Sequence, residues 1–134
     1  MALNLLYTTN WLSNSQACLL KPYDLTTHQF NVLRILKGKH PEQMCVKDIA
    51  NRMIEKNSNV PRIIDRLADK DLVKREQGCE DARQTVMSLT EAGIQILENS
   101  TKQLDAMWND SMPLSEPEAK ALNSLLEKIT AAEK

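Results

Sequence analysis

The segment from Cys45 to Glu76, CVKDIANRMIEKNSNVPRIIDRLADKDLVKRE, contains two short helical periods separated by a break. One apolar stripe precedes the break "EKNS", and a second follows it at i, i+3, i+4 and i+7, the spacing of one helix face. Asn57 or Ser58 is suited to cap the second helix. Two short helices joined by a tight break predict a helix-turn-helix. The stripes consist of Val46, Ile49, Ala50 and Met53, and of Val60, Ile63, Ile64 and Leu67.

The polar face of the second helix supplies candidate binding residues. Ser58, Asn59 and Arg62 occupy its first turns, from which side chains reach base edges in the major groove of DNA. A merely solvated face is the alternative. Three further cations could bind phosphates, or could equally pair with nearby carboxylates. The cations are Arg66, Lys74 and Arg75, and the carboxylates are Asp65, Asp69 and Asp71.

Two short strands follow the helix-turn-helix. The stretches "LVKRE" (72–76) and "QTVMSL" (84–89) show β-branched content and rough alternation, and Gly78 lies in the bend between them. They predict a hairpin. Thr90 is a good cap for a long helix that follows and ends near Pro113.

Amphipathic helices flank this central part. A first helix ends before Pro22, because proline disfavours helical backbone in the preceding residue. Thr26 and Gln29 have the form of a capping box for the next helix, which Gly38 is expected to end.

The last helix begins with a second capping box, Ser115 with Glu118. The apolar stripes at both chain ends are wider than one small lobe can cover, which predicts a two-fold dimer. In the last helix the stripe consists of Leu122, Leu125, Leu126 and Ile129.

Composition limits the class of protein. With 134 residues, 42% hydrophobic and only 4% aromatic, the chain fits one mainly helical domain. No stretch is apolar enough for a membrane helix and the N-terminus lacks the basic start of a signal peptide, so we expect a cytoplasmic protein that binds no membrane. Three distant cysteines without a C-x-x-C pair predict reduced thiols, with no metal and no cofactor. Because the net charge is −1, nucleic-acid binding would rest on a local basic patch.

No group of residues predicts catalysis. His28 and His40 are isolated from any pairing of a nucleophile with a carboxylate, and a lone histidine is usually structural or on the surface. We therefore expect a protein that is not an enzyme.

The order of these elements resembles the MarR family of bacterial winged-helix regulators over essentially the whole chain. "LTTHQFNVL" (25–33) is similar to the family's entry into its second helix, and "VPRIIDRLADKDLVKR" (60–75) to its recognition helix and first wing strand. "DARQTVMSLTEAG" (81–93) matches the wing signature, in which Asp81 and Arg83 are the acid and the arginine.

The resemblance implies a mainly α fold in a single domain (1–134). A winged helix-turn-helix lobe (25–92) with a two-stranded β-hairpin wing would be flanked by N- and C-terminal dimerisation helices (1–20 and 94–134). Arg83 would contact the DNA backbone or minor groove, and Asp81 would orient its guanidinium. An ordinary exposed arginine in a turn is the alternative.

Three residues depart from the family pattern. Ala82 stands where another basic residue is common, so the wing carries less charge. Asp71 stands where glycine is common, and aspartate tolerates the left-handed conformation better than most residues. Cys45 stands where Ser or Thr usually caps a helix, which predicts a weaker cap.

These features predict a homodimeric DNA-binding transcriptional regulator, a repressor that binds double-stranded DNA at a pseudo-palindromic operator. The family resemblance also implies release by a small, often aromatic and acidic ligand. Trp11 and His28 could line its crevice or could merely pack between helices. The alternative is a winged-helix protein-interaction module without a DNA target, which the net charge and Ala82 favour slightly.

Overall fold

The computed structural model describes residues 1–78 and 83–133. Six α-helices and three β-strands occur within these ranges, so the prediction of a mainly helical fold with a hairpin is confirmed. The order is α1 (Ala2–Leu20), α2 (Thr27–Lys39), β1 (Met44–Cys45), α3 (Val46–Arg52), α4 (Val60–Asp69), β2 (Val73–Gln77), β3 (Thr85–Leu89), α5 (Glu91–Ser111) and α6 (Glu116–Thr130).

The chain divides into two compact units. The first comprises Met1–Leu104 and contains the helix-turn-helix and all three strands, while the second comprises Asp105–Lys134 and contains α6. None of the helices within the described ranges is both long and apolar enough to span a membrane.

The strands form one antiparallel sheet in the order β1-β3-β2. Val73 pairs with Leu89 and Arg75 pairs with Met87, which in turn faces Met44 of β1. The predicted hairpin of β2 and β3 is therefore present, and β1 pairs with the free edge of β3. Sequence patterns missed β1, because two residues are too few to show an alternation.

The core of the first unit is mostly aliphatic and includes Ile49, Met53, Val60, Ile64 and Leu67 of the predicted stripes. Ile64 and Leu67 of α4 are buried against the buried positions of α2, α3 and the sheet. Three other residues assigned to these stripes, Val46, Ala50 and Ile63, remain partly exposed. The buried partners include Phe30, Val32, Leu33, Leu36, Ile49, Met53, Val60, Met87 and Leu89.

A close junction joins the end of α4 to the start of α5. Asp71 adopts φ 59°, which confirms the expected left-handed conformation. Its carbonyl accepts a hydrogen bond from the Thr90 hydroxyl at 2.6 Å, and the Thr90 oxygen accepts one from the Gly93 amide at 3.0 Å. A Cβ at Gly93 would overlap the carbonyl oxygen of Leu72, so the two segments approach as closely as glycine allows.

The helix ends confirm part of the capping predictions. Complete capping boxes begin α2 and α6, at Thr26 and at Ser115. Cys45 begins α3 without a side-chain capping bond, as expected. Gly38 does not end α2, which continues to Lys39, because this glycine keeps a right-handed backbone.

The cap of α4 was assigned to the wrong residue. Asn59, rather than Asn57 or Ser58, begins the helix, since its side-chain oxygen accepts a hydrogen bond from the Arg62 amide at 3.2 Å. The Ser58 hydroxyl instead donates to the carbonyl of Glu55 at 2.6 Å within the preceding turn.

Candidate nucleic-acid interface

Helix α4 presents two arginines on its exposed surface. Arg62 and Arg66 are four residues apart, the spacing that places side chains on one helix face. Both are exposed, and within residues 1–78 and 83–133 neither side chain forms a hydrogen bond or an ion pair. Two unpaired guanidinium groups on one face are suited to contact phosphates or the O6 and N7 atoms of guanine.

The cations that follow on the chain are already paired. Lys70 lies 3.1 Å from the side-chain oxygen of Gln29 and 3.5 Å from the Asp24 carboxylate. Arg75 donates to the carboxylate of Asp65 on α4. Of the two interpretations left open for Arg75, the structure shows the ion pair.

Lys74 lies on the face of β2 opposite that of Arg75, and it also has a partner. Its ammonium lies 2.8 Å from Glu76, whose carboxylate also accepts a hydrogen bond from Gln43 at 2.8 Å. These hydrogen bonds lower the pKa of Glu76, with Lys74 as the first cause, and the Glu76 bond raises the pKa of Lys74. The sequence analysis offered only three aspartates as partners for Lys74 and did not consider Glu76.

Ser58 and Asn59 lie at the N-terminal end of α4, where the sequence predicted base contacts. Both use one polar atom locally, as described for the cap and the preceding turn. The Asn59 amide nitrogen keeps its two N–H groups, since only the oxygen takes part in capping. Asn59 can therefore cap the helix and donate outward at once.

A groove of about 400 Å³ separates the first turn of α2 from α4. His28 and Glu55 join its two sides, with 2.5 Å between the imidazole Nε2 and a carboxylate oxygen. Sequence reasoning missed this pair because the two residues lie far apart along the chain and in different elements. The groove is lined by Thr26, His28, Gln29, Glu55, Ser58, Asn59, Arg62, Ile63 and Arg66.

His28 also lines a smaller hollow, of about 140 Å³, on the other side of its contact with Glu55. Arg34, whose guanidinium lies 5.8 Å from the centre of the Phe30 ring, is part of the same wall. Trp11 does not line this hollow, and 48% of its surface is exposed. Of the two residues that the sequence suggested for a ligand crevice, His28 lines this hollow.

The base of the wing closes between Gly78 and Gln84, whose amide and carbonyl lie 2.8 Å apart. Arg83 lies in the turn just before β3 and is exposed. Asp81, its predicted partner, lies outside the described residues, as does Ala82.

A helix-turn-helix followed by a hairpin that pairs with a short third strand defines a winged helix-turn-helix protein. The model of the MarR family matches residues 25–85. Over 112 residues the chain is 33% identical to the HTH-type transcriptional regulator MgrA of Staphylococcus aureus, covering 84% of this chain and 74% of that protein. The chain belongs to the MarR family.

Two further similarities agree with this assignment. The HTH-type transcriptional repressor IacR of Pseudomonas putida is 30% identical over 112 residues, covering 83% of this chain and 66% of that protein. The crystal structure of the S. aureus MepR–DNA complex superposes with a TM-score of 0.84 at 21% identity, covering 100% of this chain and 96% of that chain. At this identity, the superposition shows that the two chains share a fold.

Proposed function

We propose that the chain is a transcriptional regulator that binds double-stranded DNA with α4 in the major groove. The observation that carries the proposal is the pair of exposed arginines on α4, Arg62 and Arg66, which have no partner among the described residues while Lys70, Lys74 and Arg75 do. Unpaired guanidinium groups lose no intramolecular partner on binding, so their full charge is available to DNA.

Base contacts belong to the start of α4 and phosphate contacts to its later turns. Ser58, Asn59 and Arg62 are proposed to reach base edges, and Arg66 a phosphate, since the N-terminal turns of a recognition helix lie deepest in the groove. Arg83, exposed beside β3, is proposed to contact the backbone or minor groove next to each half-site, with Asp81 orienting it.

The proposed regulator is a homodimer. Helix α1 exposes Leu3, Leu6 and Tyr7, with 81%, 68% and 78% of their surfaces accessible, and no residue of α6 is buried. Apolar surfaces of this kind mark contact sites, and a second copy of the chain would cover them in both subunits alike. In this arrangement the dimer contacts are formed by residues 1–20 and 94–134. The DNA-binding lobe is formed by residues 25–92, and all three segments belong to one functional domain.

Repression is the proposed regulatory outcome, and the name of the relative IacR, a transcriptional repressor, supports it. A homodimer would bind a pseudo-palindrome in the cytoplasm and exclude other proteins from that DNA. We also propose release by a small acidic ligand near His28 and Arg34. The hollow there is smaller than the roughly 300–1,000 Å³ typical of ligand sites, so a second subunit would have to complete it.

A selection from a randomised DNA pool tests the proposal. The parent protein is expected to enrich a pseudo-palindrome with half-sites about 10 bp apart. Arg62→Ala should weaken binding to the selected duplex by about 1–3 kcal/mol and relax preference at one position per half-site. Arg66→Ala should weaken binding to selected and random duplexes alike. Fluorescence anisotropy over a salt series measures both effects.

Lys120→Ala is the control, because it removes a cation from the face of α6 opposite its apolar stripe, where Lys120 pairs with Glu116 at 3.3 Å. Its affinity should stay at the parental value. Failure of the parent to enrich any sequence, together with random-duplex binding that Arg62→Ala leaves unchanged, would favour a protein-interaction module instead.

A further inference from the structure

Arg75 reaches from the first wing strand to the recognition helix. In β2 its side chain lies on the same face as Val73, which is buried, because residues two apart in a strand share a face. From that face the guanidinium donates to the carboxylate of Asp65. The ion pair therefore joins the wing to α4 at the surface that carries Arg62 and Arg66.

Asp65 places an accessible carboxylate on the same helix as Arg62 and Arg66. It lies between Arg62 and Arg66 in the sequence of α4, three residues after Arg62, and 58% of its side chain is accessible. Carboxylates at i+3 commonly pair with an arginine on the same helix. An unneutralised carboxylate would also repel phosphates. Either way, a free Asp65 would oppose DNA binding.

The pair contributes little to folding. The Arg75 and Asp65 side chains are 46% and 58% accessible, and exposed ion pairs are screened by water and salt. At the surface, the Asp65 carboxylate is bound to Arg75, while Arg62 and Arg66 remain without partners in the described part of the chain.

We propose that Arg75 is a positioning residue that neutralises Asp65 and holds it away from Arg62, and that Arg75 does not itself contact DNA. The inference rests on the proposed DNA-binding function and adds a residue that makes the binding surface competent. It predicts that the effect of removing Arg75 depends on the presence of the Asp65 carboxylate.

A double-mutant cycle tests this dependence. Arg75→Ala, Asp65→Asn and the double variant would be compared with the parent by anisotropy, on the duplex that the parent enriches and across a salt series. We expect Arg75→Ala to weaken binding roughly tenfold. In the Asp65→Asn background the same change should alter affinity by less than about twofold and leave the salt slope unchanged, because the group that Arg75 neutralises is gone.

A direct phosphate contact predicts the opposite pattern. Arg75→Ala would then cost the same factor in both backgrounds and lower the salt slope by roughly 2 in a dimer. That result would overturn the proposal, as would parental affinity in Arg75→Ala. Lys74→Ala is the control, because it removes the same charge from the opposite face of β2 and should stay within about twofold of the parent. Thermal unfolding of each variant separates lost binding from lost folding.

The two proposals fail in different ways. If the parent enriches no DNA sequence and binds none, the proposed function is wrong and the cycle has no signal to report. If the parent binds its duplex and Arg75→Ala behaves identically with and without the Asp65 carboxylate, DNA binding stands and only the positioning role is wrong.

Discussion

At the scale of the residue, Gly93 is a position where an added methyl group would meet backbone atoms. A Cβ there would overlap the carbonyl oxygen of Leu72 and lie 3.1 Å from its carbonyl carbon, and both are backbone atoms that cannot rotate away. Gly38, by contrast, lies inside α2, and a Cβ added to it would have nothing within 4 Å. The two glycines thus form a matched pair, one enclosed and one open.

We expect Gly93→Ala to lower the free energy of unfolding by roughly 1–3 kcal/mol, because the start of α5 must move away from the end of α4. Gly38→Ala should raise it by about 0.5–1 kcal/mol, since alanine favours the helix and restricts the unfolded chain. Urea unfolding measures both. The two variants are thus expected to change stability in opposite directions. A Gly93→Ala protein as stable as the parent would contradict the close contact between Gly93 and the Leu72 carbonyl.

At the scale of the element, the N-terminal caps of α2 and α3 differ in hydrogen bonding although their backbone conformations are nearly the same. Cys45 has φ −82° and ψ 163°, nearly the same as Thr26 with φ −85° and ψ 164°. Thr26 accepts a hydrogen bond from the Gln29 amide at 3.1 Å, whereas Cys45 forms no capping bond. The first helix of the helix-turn-helix therefore has the backbone for a cap and lacks only the oxygen.

Cys45→Ser should raise the free energy of unfolding by about 0.5–1 kcal/mol, because a hydroxyl at this position can accept a hydrogen bond from the first turn of α3. Thr26→Ala should lower it by about 1 kcal/mol, through loss of the existing bond. Thermal and urea unfolding measure the two changes. If Cys45→Ser is less stable than the parent, the half-buried thiol contributes packing that outweighs the missing cap.

At the scale of the whole molecule, helix α6 leaves large apolar side chains exposed. In α6, Leu125 and Ile129 are 59% and 53% accessible and lie four residues apart, on one face of the helix. Burial of two such side chains contributes about 1.5–3 kcal/mol each when complete. A second copy of the chain is the partner that we propose for this face.

Light scattering at micromolar concentration should therefore give a mass near twice 15.2 kDa. Leu125→Glu with Ile129→Glu should shift it toward the monomer, because charges on both contacting faces would be buried without partners. Lys120→Glu, on the face of the same helix opposite Leu125 and Ile129, is the control and should remain dimeric. A parental monomer, or dissociation of the control to the same extent, would contradict the proposed interface.

The sequence alone determined the features that depend on neighbouring residues. The buried positions Val60, Ile64 and Leu67 of α4 were correctly predicted, as were the capping boxes at Thr26 and Ser115 and the left-handed Asp71. Each results from interactions within a few residues, where spacing along the chain fixes spacing in the structure. The resemblance to the MarR family then predicted how these elements follow one another.

Only the tertiary structure decided which charges are paired and where distant residues of the chain meet. Arg75 had two equally reasonable roles in the sequence, and its contact with Asp65 became visible only once the wing was placed against α4. The same is true of His28 with Glu55 and of β1 beside β3. Long side chains can reach several partners of opposite charge at similar free energy. The packing of the core, by setting the distances between elements, selects one of them.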